Sequence, residues 1–228
     1  MTSIVAAGLM LAATCAQAGE TVKLTGYTFG SAKSVNVKID YAGSNPLDKS
    51  YSGGAGQFTG TLNGNSFTTY CLDLYETFHF NHTYTNYNIV ALDTAKAFDI
   101  GRLMTQWGSN VDTATKSAAF QVALWEIMYD TGSLYRLSNP SQGIFSETAS
   151  NNGVRALAQS YLDDLGSVSN FQVSMLQSLG HYNGDHRWVA GNQDFLITTP
   201  VPEPSTYALM LAGLAGVGFV ARRRARRA

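Results

Sequence analysis

Cysteine is almost missing from this chain: its 228 residues include two, and only 14% of residues are charged. Cys15 falls inside an apolar N-terminal run that reads as removable, which leaves Cys71 alone and excludes an intramolecular disulfide. A basic stripe is also lacking. Five of the fifteen Lys and Arg residues are Arg222, Arg223, Arg224, Arg226 and Arg227, so the remainder holds ten against sixteen Asp and Glu, a balance of minus six. A surface of that sign does not track a phosphate backbone, and nucleic acid is excluded as a partner. No internal repeat is present. What abounds is Gly (22), Tyr (12) and Phe (11), with many Ser, Thr and Asn, a mixture suited to the strands and loops of secreted proteins.

The two ends read as addresses. Ile4 to Ala13 is apolar and is followed by Ala16-Gln17-Ala18, the small-x-small pattern of a signal peptidase site, so residues 1–18 are expected to be a signal peptide. No Lys or Arg precedes the run, as would follow if the true start lay upstream. A lipoprotein reading of Cys15 fits poorly because Thr14 stands where a Gly, Ala or Ser is needed. An unpaired Cys71 in an oxidising compartment is unusual and points to a reactive or protected sulfur; the alternative is a buried Cys acting as a small hydrophobe.

At the other end, Val201-Pro202-Glu203-Pro204-Ser205 leads into an uncharged stretch, Tyr207 to Ala221, and then the Arg cluster. Arg residues after an apolar run hold that end in the cytoplasm and place the preceding chain outside the inner membrane. The stretch is short of the ~20 residues of a comfortable span, but a single C-terminal transmembrane helix is the expectation. Pro202, Glu203 and Pro204, the apolar stretch and the Arg cluster together resemble the PEP-CTERM sorting signal of Gram-negative bacteria. That resemblance implies an exosortase as processing partner alongside signal peptidase, transient inner-membrane anchoring, and delivery to the cell surface or the extracellular space. Proteins so sorted commonly accompany exopolysaccharide and biofilm genes.

Between the ends, residues 19–199 read as an α+β domain, a β-sheet or barrel with an inserted helical subdomain of about three helices. Thr21 to Ile39 alternates as two strands around Gly30-Ser31, and Gly43 to Gly64 reads as loop with a hairpin turn at Asn63-Gly64. Ser66 to Leu74 reads as a strand carrying Cys71. Helical spacing is expected from Ile89 to Trp107, then from a cap at Asp112 or Thr113 to Asp130, closed by Thr131-Gly132, and from Asn152 to Leu165. Phe171–Leu176 and Trp188–Thr198 are closing strands, with a turn at Asn183-Gly184.

Gln121 breaks the pattern. It shares the apolar face of the second helix with Ala114, Ala118, Trp125 and Met128. A buried amide without partners costs roughly 1–3 kcal/mol, so Gln121 is either bonded or chemically altered. Tyr70-Cys71-Leu72 together with Phe120-Gln121-Val122-Ala123-Leu124-Trp125 resembles the paired signature of the thioester domains of Gram-positive surface adhesins, over about Ser66 to Asp130. The resemblance implies a bond between the Cys71 sulfur and the Gln121 side-chain carbonyl, formed with loss of ammonia and open to attack by an amine or hydroxyl of a partner. Such a bond needs the two groups held at about 3–3.5 Å. It also needs a dry wall, for which Tyr70, Phe120 and Trp125 are the expected residues. The departure from the adhesins is the Gram-negative tail, which leaves the target open.

Two other readings compete. In one, Cys71 and Gln121 only pack, and Tyr75, Tyr84 and Tyr87 bind the sugar faces of an exopolysaccharide in a structural matrix protein. In the other, Cys71 hydrolyses a substrate with His79 or His82, an arrangement matching no known Cys–His pattern. His79 and His82 with Asp73 and Glu76 have weak metal spacing, so neither metal nor cofactor is expected. Asn81-His82-Thr83 is a glycosylation sequon of little meaning in a bacterial chain, and Asp163-Asp164 reads as a solvated helix face. Single-use covalent capture, without turnover, is the most chemistry expected.

Overall fold

The computed structural model describes residues 19–41, 43, 45–130, 134–138, 143–148, 153–178, 180–182, 188–189, 191–201 and 204–225. The expected signal peptide at 1–18, the turns at Thr131-Gly132 and Asn183-Gly184, and Pro202 and Glu203 of the tail lie outside these residues.

Alternation builds β1 (Glu20–Tyr27), which buries Val22 and Leu24, and β2 (Lys33–Ile39), which buries Val35, Val37 and Ile39. These strands sit in different sheets. The Gly-rich stretch expected as loop is largely strand, β3 (Lys49–Ala55) and β4 (Phe58–Leu62). Glycine there permits close approach: a Cβ on Gly60 would lie 2.1 Å from the Lys23 carbonyl oxygen on β1. The turn at Asn63-Gly64 is as expected. Both residues take left-handed backbone, with φ of 52° and 81°, and lead into β5 (Asn65–Thr69).

The expected first helix starts too early. Residues up to Ala91 form β6 (Tyr84–Ala91), and α1 (Thr94–Trp107) begins only where the Asp93 carboxylate accepts the N–H groups of Ala95 and Lys96. Thr113 caps α2 (Ala114–Tyr129). After β7 (Phe145–Glu147) comes α3 (Val154–Asp163), followed by β8 (Phe171–Ser178), β9 (His181–Tyr182), β10 (Trp188–Val189) and β11 (Phe195–Pro200).

Six strands form an antiparallel sheet in the order β11-β8-β6-β1-β4-β5, and β3-β2-β7 form a second. The large sheet nearly closes. Past β5 the chain reaches β11, where Leu196 N–H donates to the Tyr70 carbonyl (3.0 Å) and Leu72 N–H to that of Asp194 (2.9 Å). The α+β class is therefore as expected, with α1, α2 and α3 entering between β6 and β8. The single apolar stripe expected on α2 is corrected: every residue from Ser117 to Ile127 is buried, because the helix lies against β2, β3 and β7 as well as α1 and α3.

The tail forms α4 (Pro204–Ala225), along which Leu209, Leu211, Leu214 and Phe219 are exposed. Among the described residues no helix is long and apolar enough to cross a membrane, so the expected transmembrane helix is not found there. The uncharged stretch 207–221 would rise only about 22 Å against a hydrocarbon thickness of about 30 Å, and Arg222 to Arg224 follow directly.

Candidate functional site

Cys71 sits at the seam where the large sheet closes. Thr69 is the last β5 residue paired with β4, and Cys71 forms an isolated antiparallel bridge with Phe195. The hydrogen bonds of that bridge come from the residues on either side, so the N–H and C=O of Cys71 point away from β11, toward an edge that β4 no longer covers. Buried backbone groups need partners, and Gln121 of α2 supplies them. Its Oε1 accepts the Cys71 N–H at 3.0 Å, and its Nε2 donates to the Cys71 carbonyl at 2.8 Å. One amide thereby acts as a one-residue strand. Gln121 is 1% exposed and Cys71 6%.

Both residues line a cleft of about 390 Å³ between β3, the segment 73–78 and α2. Trp125, one turn after Gln121, lines it; its buried indole N–H finds no partner among the described residues. Tyr70 and Phe120 do not line it. Adjacent strand residues face opposite ways, so Tyr70 turns inward and stacks on Phe120 with ring centroids 4.8 Å apart, backing the pair from the core. The remaining aromatic wall is Tyr27, Tyr51, Phe58, Tyr75 and Phe78. No sequence signal marked Tyr27 or Tyr51, which the sheets bring in from β1 and β3.

Burial dominates the electrostatics. It pushes the Cys71 thiol well up, helped by the nearby Asp73 carboxylate, so the sulfur is held as a thiol. Burial, with Cys71 and Tyr27 nearby, raises Tyr51 to about 12. Asp73, Glu76 and Asp194 gather with their closest oxygens within 4.8 Å of one another. Burial followed by repulsion from Asp73 and Asp194 raises Glu76 to about 7, and Asp194 is raised to about 6. Asp73 Oδ1 accepts the N–H groups of Tyr75 and Glu76, and its Oδ2 those of Asp194 and the Gln193 amide. Asp73 thus clamps the chain reversal beside the cleft. The carboxylates are the ligand types a hard cation takes, but the four donors already occupy Asp73.

His79 and His82 are exposed and outside the cleft lining, so the structure does not bring them to Cys71. His82 packs edge-on against Tyr84 at 4.5 Å. Of the aromatics proposed to meet sugars, Tyr75 is 40% exposed, but Tyr87 is fully buried and donates its hydroxyl to the Gln193 carbonyl. Tyr87 is corrected to a core residue: strand alternation on β6 turns it inward.

The family model of the PEP-CTERM protein-sorting motif matches residues 200–225. The match supports a PEP-CTERM protein, exported and sorted to the cell surface with an exosortase as processing partner. Neither a curated protein nor a solved structure matches the chain. The resemblance of Cys71 and Gln121 to a thioester domain therefore rests on the residue pattern alone.

Proposed function

We propose that this exosortase-sorted protein is a single-use covalent adhesin whose Cys71 and Gln121 form an internal thioester. The supporting observation is the double hydrogen bond that holds the Gln121 carboxamide against the residue carrying the thiol, in the wall of a cleft. Fixing both groups removes the encounter cost that otherwise makes an amide inert to a thiol. The Cys71 N–H on Oε1 also stabilises negative charge on that oxygen as the carbonyl carbon becomes tetrahedral. The Cys71 sulfur attacks the Gln121 carbonyl carbon, the C–N bond breaks, and the thiol proton leaves with the amide nitrogen as ammonia. A partner's amine or hydroxyl later attacks the same carbon and displaces the sulfur, which regains a proton as a thiol.

The protein then remains acylated to its partner through Gln121, so each molecule acts once. Residues 19–199 form the working domain of this reading, and the tail containing Pro202, Glu203 and Pro204 is removed on delivery. Intact mass of the chain recovered from the cell envelope tests both parts. The expected mass lacks the tail and one further ammonia, and Cys71→Ala restores only the ammonia; a wild-type chain without the ammonia deficit rejects the thioester.

A second reading draws on the aromatic lining of the cleft, above all Tyr75, which is half-open to solvent. Here the cleft holds exopolysaccharide without bond formation. Full retention of Cys71→Ser on the polysaccharide, resisting denaturant no more than wild type, favours it.

A further inference from the structure

Resting on the thioester reading, we infer that Glu76 is the proton carrier of the cleft: it takes the proton of an attacking amine and returns it to the departing Cys71 sulfur. In the balanced step, the amine nitrogen bonds to the Gln121 carbonyl carbon, one N–H proton passes to the Glu76 carboxylate, and the C–S bond breaks. The protonated Glu76 then delivers that proton to the thiolate, giving an amide, a thiol and the original carboxylate.

The residues lining the cleft leave little choice of base. A thiol whose proton is held as tightly as that of Cys71 is a poor leaving group unless it is protonated as it departs. Tyr27, Tyr51 and Tyr75 are phenols pushed further up by burial, so they keep their protons at neutral pH. Lys49 directs its Nζ over the Tyr75 ring, 6.0 Å from its centroid. Asp73 lines the cleft but spends its lone pairs on four donors. Asp194 is outside the lining.

Glu76 remains. It lines the same cleft as Cys71 and Gln121, is partly exposed, and has the Gly191 N–H as its backbone donor. The groups facing it are Asp73 of its own segment, Asp194 before β11 and, further off, Tyr87 of β6. Burial and the two neighbouring carboxylates raise it to about 7, which suits a group that must both accept and release a proton near neutrality.

The test is the rate at which the intact chain forms an adduct with hydroxylamine, an amine largely unprotonated at neutral pH, followed by mass from about pH 6 to about pH 8. In wild type the rate is expected to rise through a single inflection near pH 7. In Glu76→Gln the inflection disappears and the rate at the upper end falls roughly a hundredfold. A folded Glu76→Gln chain that never loses ammonia also supports the inference, because the same proton must move when the bond forms. A wild-type rate without inflection, or a Glu76→Gln profile equal to wild type, overturns it while leaving the thioester standing. A wild-type chain at full mass removes the thioester itself.

Discussion

The two halves of α2 bury polar side chains by different means. Gln121 offers one acceptor and one donor to the Cys71 N–H and C=O, so every group is satisfied without any net charge. Near the other end, Glu126 and Asp130 offer only acceptors. Glu126 Oε1 takes the Arg136 N–H at 2.6 Å, and Asp130 Oδ1 takes those of Ile144 and Phe145 at 2.7 and 3.1 Å. Their remaining oxygens, one turn apart and buried, find no donor among the rest of the described residues. Burial first, and Asp130 second, raise Glu126 to about 8, so it keeps a proton that bridges the pair. An amide solves the burial problem at any pH, whereas a carboxyl pair solves it only while protonated.

The contrast can be broken most forcefully at Gln121. Gln121→Ala leaves the Cys71 N–H and C=O unpartnered in the core and opens a cavity, with an expected loss of about 3–5 kcal/mol in urea unfolding. A loss below about 1 kcal/mol would show that water replaces the amide and that the pairing is not built in.

The Glu126 end is next in size and its sign is fixed by linkage. A carboxyl raised in the folded state binds more protons folded than unfolded. Its stabilisation is therefore complete below the ordinary glutamate range, falls as pH rises, and levels off above about 8. Unfolding free energy is expected to drop on the order of 3 kcal/mol between pH 5 and pH 9, and Glu126→Gln to flatten that profile, since a neutral amide can donate to Asp130. An equal slope in both proteins breaks the comparison. The smallest expected effect sharpens it. Thr113→Ala removes the cap whose hydroxyl accepts the Lys116 N–H, costing about 1 kcal/mol equally at both pH values, because the cap carries no charge.

Legibility in the sequence followed the range of the interaction. The α2 boundaries were readable because Thr113 is a local cap, and the Asn63-Gly64 turn because two adjacent residues adopt left-handed backbone. β3 and β4 were missed, since glycine reads as loop unless the strand that needs a bare backbone is known, as Lys23 is for Gly60. β6 was lost to an overlong helix because Ile89 and Val90 fit either period, and only the Asp93 cap settles where α1 starts. At the site, Gln121 was detectable as a polar residue on an apolar face, and Trp125 as its neighbour one turn on. That Tyr70 and Phe120 back the pair from the core is not legible locally, because which strand face meets the cleft depends on sheet closure.

The sequence by itself determined the tail at 200–225, the solitary sulfur at Cys71 and the anomaly at Gln121, all of which depend on residue type and local spacing. Tertiary structure alone decided that these last two meet. The meeting requires a sheet that closes through a Cys71–Phe195 bridge, leaving a backbone edge bare opposite a central helix, and no local pattern encodes a contact between residues fifty positions apart.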